Sequence, residues 1–181
     1  MNWVKNSIGH LRNIIVHKFW VYYYGRQLNI NRWQLLMHDM SKFHPVEFFE
    51  SVRWYQGDKS PIPVVKTIKG WSKAWMHHKS RNKHHYDYWL DVKNDKVFPV
   101  QIPYKYVMEM IADWLAAGRT YNGKSFTLDD ERRWWDNWQN PLMHQVTIRL
   151  IDKFFSIENP IEYWRLNERI IKLYYNKGSI C

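Results

Sequence analysis

Apolar side chains recur at helical spacing through most of this chain. The run from Trp3 through Ile8, Leu11, Ile15 and Phe19 to Tyr22 predicts one long helix over about residues 3–24, ended by Gly25. After a short turn, Asn31 can cap a second helix over about residues 31–40, which ends in the pair His38-Asp39. Pro45 opens VEFFESVRWYQ, and GDKSPIPVVKTIKG, with two prolines and two glycines, reads as the longest irregular segment. Ser72 begins the helical run SKAWMHHKSRNKHHYDYWLD, with a break expected near Asn82. Pro103 takes a first helical position ahead of YKYVMEMIADWLAAG, which Gly118 closes.

Thr127 and Asp130 have capping-box spacing before DDERRWWDNW. Asn140-Pro141 and Asn159-Pro160 each set a capping residue before a proline, ahead of two last helices over about residues 142–156 and 160–176. No segment alternates with period two for long, so the expected fold is all-α: one helical bundle, a single domain over residues 1–181.

Composition narrows the chemistry. With 12 Trp, 12 Tyr and 8 Phe, the core must be largely aromatic. The 27 Lys and Arg against 17 Asp and Glu give a net charge of +10, which suits an anionic partner: a nucleotide, a phosphorylated metabolite or nucleic acid. A basic, solvated surface would carry the same count. One cysteine, Cys181, excludes an internal disulfide and a thiolate zinc site, so any metal must be held by imidazoles and carboxylates. No signal peptide is evident and nothing approaches the roughly 18 consecutive apolar residues of a membrane span. The expected compartment is the cytoplasm, with no membrane partner. The oligomeric state is left open.

Eight of the nine histidines lie in the first 85 residues. His10 and His17, seven apart, share a face of the first helix, and His77/His84 and His78/His85 repeat that offset if the helix is continuous there. In an antiparallel hairpin joined at the Gly25 turn, His17 and His38 are each seven residues from the connection. They therefore sit at one height, with His10 about 10 Å further along the axis. This makes His17 the preferred ligand and gives His10 a substrate-facing place.

His38-Asp39 followed by Lys42, in HDMSK, resembles the HD-x-x-K signature of HD-domain metal-dependent phosphohydrolases. The tandem His84-His85 and the distal Asp113 look like the paired histidines and aspartate of its multi-metal branch. The GYP segment of that branch is missing, and no histidine stands alone midway between the HD pair and the tandem; instead His77 and His78 sit only seven residues before the tandem. A closer resemblance, over roughly residues 8–150, is to an uncharacterised family of bacterial and phage proteins, carried by HLRNIIVHK, HDMSKFHPVEF, RWYQG, AWMHHKSRNKHHYDYW and IPYKYVMEMIADWLAAGRTY.

The resemblance and the spacing together nominate His17, His38, Asp39, His78, His84, His85 and Asp113 as metal ligands. Imidazoles and carboxylates select Mn, Fe, Ni or Zn over Mg or Ca, and Asp39 could bridge two such ions. The activity expected is hydrolysis of a nucleotide or another small phosphorylated molecule, with a metal-activated water as nucleophile. Lys42 would meet a phosphate oxygen, with Arg119 and Lys124 as weaker candidates. Glu109 and Asn82 would orient a ligand or a water. Two other functions stay open: a non-catalytic metal-containing protein that binds nucleic acid or a host factor, and an iron-dependent oxygenase on the same scaffold. Trp134, Trp135 and Trp138 beside Arg132 and Arg133 could stack bases, or simply fill the core.

Overall fold

The most apolar face of the first helix is not the one it buries. The computed structural model describes residues 2–138 and 142–178. In it, helix α1 (Trp3–Gln27) turns His10, Ile14, His17, Val21 and Gly25 inward, while Ile8, Leu11, Ile15, Phe19 and Tyr22 stay exposed. The apolar period fixes the helix but not its orientation. That is set by two imidazoles, His10 four residues before Ile14 and His17 four before Val21, so that all share one stripe.

Gly25 does not end this helix. It lies in the last turn against Leu35, where an added Cβ would come within 2.3 Å of Leu35 Cδ2, so the glycine lets helix α2 (Arg32–Met37) pack closely. The reversal occurs instead at Leu28–Asn31, with Asn29 at φ 59° and Asn31 accepting from Trp33 N and Gln34 N. α2 is shorter than its predicted span. It stops at Met37, and a 3-10 turn over Met40–Phe43 leads to α3 (Pro45–Arg53).

The expected irregular segment contains a helix, α4 (Pro61–Lys69), capped by Ser60 and closed by Gly70 at φ 77°. Its two prolines sit in the first turn, where neither N–H would find a partner. Helix α5 (Lys73–Lys79) is capped by Ser72 and ends well before the predicted run does. The chain then forms a hairpin of β1 (Leu90–Lys93) and β2 (Lys96–Pro99), antiparallel with Val92 opposite Val97. The hairpin was not expected. Asn94 and Asp95, at φ 51° and 59°, supply a two-residue turn with both residues left-handed.

Helix α6 (Tyr104–Asn122) is the central element and packs on α1, α7 (Leu128–Asn137), α8 (Gln145–Ser156) and α9 (Pro160–Asn176). Pro103 precedes it as cap rather than opening its first turn. The capping box at Thr127 and Asp130 is present. Asn159 caps α9 without a side-chain bond, and Asn140-Pro141 lies outside the described residues. Val107, Ile111, Leu115, Leu150, Ile151, Phe154 and Trp164 form the floor of one core, and the Tyr175 hydroxyl inside it donates to the Ile102 carbonyl. Apart from the hairpin, the described residues are helical or irregular, and the fold is all-α.

Gly118 also lies inside a helix. A Cβ there would meet the Phe126 ring at 2.2 Å, and Phe126 is itself buried. Gly118→Ala gains about 1 kcal/mol of helix propensity but forces the ring aside at about 1–3 kcal/mol. The expected result is a lower thermal midpoint, by roughly 2–4 °C per kcal/mol lost, read by circular dichroism.

Candidate metal centre

His38 closes α2, its N–H bonded to the Leu35 carbonyl. Asp39 then takes a left-handed conformation, φ 54°, which aspartate tolerates better than bulkier residues. This twist turns the carboxylate back over the preceding imidazole, with His38 Nε2 3.3 Å from Asp39 Oδ2. The Lys18 ammonium secures the corner by donating to the carbonyls of Leu36, at 3.0 Å, and His38, at 2.5 Å.

Around Asp39 stand two groups of potential ligand atoms, each group within 4.8 Å overall: His17, His38, Asp39 and Asp113, and Asp39, His78, His84 and His85. The carboxylate divides between them. Oδ2 lies 3.3 Å from His38 and 3.9 Å from His17 Nε2, whereas Oδ1 lies 3.3 Å from Nε2 of both His78 and His84. Asp113 Oδ1 completes the first group, 2.8 Å from His17 Nε2 and 3.3 Å from His38 Nε2. The seven side chains nominated from the sequence therefore converge, drawn from α1, the α2 corner, α5, the 80–85 turn and α6. The helix break after Lys79 brings His84 and His85 back beside His78, with ring centroids of 6.3 Å and 4.7 Å.

Behind the imidazoles lies a shell of carboxylates. Glu109 Oε1 accepts from His38 Nδ1 at 3.0 Å and lies 3.6 Å from His84 Nδ1, while its Oε2 accepts from Gln34 Nε2 at 2.6 Å. Glu47 binds His77 Nδ1 through one oxygen at 2.5 Å and His78 Nδ1 through the other at 2.8 Å. An Nδ1–H fixed on a carboxylate leaves Nε2 as a lone-pair donor pointing inward. Glu47, Gln34, Ser41 and Lys18 were not singled out from sequence. The only trace of Glu47 is its place four residues before Ser51 on a buried face.

The buried Nε2 atoms of His38, His84 and His85 and Asp39 Oδ1 have no hydrogen-bond partner, while Asp39 Oδ2 meets the Lys42 ammonium at 2.6 Å. Unpaired buried polar atoms are costly. This set, nitrogen lone pairs facing shared carboxylates, fits divalent cations. Burial alone would lower His38, yet Asp39, Asp113 and Glu109 outweigh it and hold the imidazole well above its ordinary value. Burial would raise Asp39 and Asp113, but His38 and Lys42 in one case and His17 and His38 in the other hold them well below theirs. A positive charge is thus strongly favoured among these groups, and a divalent ion provides it without a proton.

Beside the centre is a cavity of about 190 Å³, into which Lys42, His17, His85, Asp113, His10 and Tyr121 face. Other expectations need correcting. Arg119 does not line the cavity; its guanidinium lies 4.9 Å over the Trp20 ring in a separate groove with Phe126. Asn82 does not line the cavity as a substrate-binding group; its amide donates to Ser41 Oγ and the His78 carbonyl, each at 2.8 Å, and lies 3.1 Å from His78 Nδ1, so it orients a ligand. Glu109 stands behind the imidazoles, so it orients ligands and does not reach a reacting water. Lys124 lies in an exposed turn, and His44 and His144 cap α3 and α8. Trp134, Trp135 and Trp138 pack on one another and on Trp114, and Arg132 donates to the carbonyls of Phe155 and Ile157. These are packing roles.

His10 packs on Phe48 and Tyr55, and burial, aided by the Lys42 charge, lowers its pKa to about 4. Its neutral form is the folded form. The unfolded chain takes up this proton first as pH falls below about 6.5, so stability is lost down to about pH 4, by up to about 3 kcal/mol. His10→Gln should flatten the decline of denaturant midpoint across that window relative to the parent.

The model of the family of unknown function DUF5662 matches residues 6–157, and the chain belongs to that family. No curated protein and no solved structure matches it.

Proposed function

On the premise of that membership, we propose that the protein is a metal-dependent phosphohydrolase of the HD type, acting on a nucleotide or another small phosphorylated molecule. The observation that carries this reading is the position of Asp39: one carboxylate shared by two groups of inward-facing imidazoles, its oxygens turned to opposite sides. His17, His38 and Asp113 would hold one ion and His78, His84 and His85 the other. Two divalent ions there would supply Lewis acidity at a phosphoryl oxygen and an activated water.

The chain's own groups do the rest. Lys42, buttressed by Asp39 at 2.6 Å, keeps its proton and faces the cavity, where it would meet a phosphate oxygen. Glu109 and Glu47 hold the imidazole tautomers, and Tyr121 and His10 line the wall against which the leaving group would rest.

Purified protein loaded with Mn should contain about two ions per chain and release phosphate from a panel of nucleotides and sugar phosphates. Metal-loaded protein that cleaves no phosphoester would overturn the hydrolase reading. The nitrogen-rich donor set also suits iron. Oxygen consumption by the Fe(II)-loaded protein, without phosphate release, would favour an oxygenase in its place.

A further inference from the structure

The face that α1 turns to solvent has no role in the centre, and it is unusually apolar. Val4 is 70% exposed, Ile8 65%, Ile15 56% and Phe19 61%, with Leu11 and Tyr22 completing a stripe along the helix. Lys18, which reaches the Leu36 carbonyl, places the outer side of α2 next to that stripe. There Trp33 is 69% exposed, and Leu36, Met37 and Met40 are also open. Side chains exposing on the order of 100 Å² each bring this surface to or beyond the ~300–600 Å² of the largest apolar patch on an ordinary monomer.

The exposed charge carried by the segment that bears the patch has one sign. Between Asn2 and Phe43 the sole acidic residue is Asp39, buried in the centre, whereas Lys5, Arg12, Arg26 and Arg32 are exposed. A second copy of the chain would be met by like charges, since a two-fold contact sets the same patch against itself. A nucleic acid could stack bases on Phe19, Tyr22 and Trp33, but the larger part of the patch, including Val4, Ile8, Leu11, Ile15 and Leu36, is aliphatic and offers bases nothing to stack on. An anionic lipid surface satisfies both features: acyl chains take the aliphatic and aromatic side chains, and headgroup phosphates take the cations.

We propose that the outer face of α1 and α2 docks on anionic membranes, with α1 lying in the plane of the interface. No helix among the described residues is long and apolar enough to cross a membrane, so the contact is peripheral. Such docking departs from the expectation of no membrane partner, since the absence of a span does not bear on surface binding. Because α1 carries His10 and His17 on its inner face, docking leaves the metal centre on the side away from the lipid.

The test is co-sedimentation of the full chain with vesicles of phosphatidylcholine alone or mixed with phosphatidylglycerol. Binding is expected only to the anionic vesicles and should fall steeply with salt. The double variant Ile8→Asp, Ile15→Asp should bind roughly a hundredfold more weakly, with circular dichroism and metal content unchanged because both positions are exposed. Arg12→Glu should lose roughly tenfold. Absence of vesicle binding, or equal binding to both compositions, overturns the proposal. So does a concentration-dependent dimer that the double variant breaks while the parent ignores vesicles, since that result assigns the face to a second copy. None of these readouts depends on the protein hydrolysing a phosphoester.

Discussion

Asp39→Asn should abolish binding at both ion positions together. The substitution keeps the side chain's size but removes the charge, and only one of its two polar atoms can still offer a lone pair. The carboxylate turns Oδ2 toward His17 and His38 and Oδ1 toward His78 and His84, so an amide must present its NH₂ to one set of imidazoles whichever way it rotates. After loading with Mn and desalting, the variant should retain fewer than about one ion per chain, and phosphate release should drop by at least about a thousandfold, about 4 kcal/mol of transition-state stabilisation. Asp113→Asn is the comparison, because Asp113 closes only the first group; it should lose one ion and keep the other. A folded Asp39→Asn protein that still holds two ions would end the shared-carboxylate account.

The parts of this centre visible in the sequence were those fixed by short-range geometry. Seven residues on either side of a Gly25 turn would set His17 level with His38; the reversal sits instead at Asn29, twelve residues after His17 and nine before His38, and the rings nonetheless lie 5.9 Å apart. Asp113 follows an apolar run on α6 and points inward as that run implies. What stayed hidden depends on contacts between elements. A glycine shows only that the backbone is free or that space is needed, and Gly25 and Gly118 are the second kind, dictated by Leu35 and Phe126 from other segments. The α1 stripe gave the helix correctly while implying the wrong buried face, because an exposed apolar surface and a core surface have the same period. Glu47 looks like any acidic residue of a first turn until α5 brings His77 and His78 against it. The two strands were missed because Asn94-Asp95 is a weaker signal than a glycine-containing turn.

Leucine at position 109 and leucine at position 47 should give different metal-binding defects. Glu109 touches imidazoles of both groups, His38 in one and His84 in the other, whereas Glu47 touches His78 of the second group and His77, which lies outside both. Loss of a carboxylate behind a ligating histidine frees the tautomer and the ring torsion, which costs about 10–100-fold in metal affinity. Glu109→Leu should therefore weaken both ions, and Glu47→Leu only the one held with His84 and His85. In a competition titration with a chelator, the first variant should shift both binding steps and the second only one. Glu109→Gln should recover part of the affinity, because its carbonyl oxygen can still accept from His38 Nδ1. That recovery is incomplete for a reason local to the site: Gln34 Nε2 already donates to the other Glu109 oxygen at 2.6 Å, and an amide NH₂ there sets donor against donor unless Gln34 turns and gives up its bond to the Lys105 carbonyl. Equal shifts in the two leucine variants would mean that the two groups do not hold separate ions.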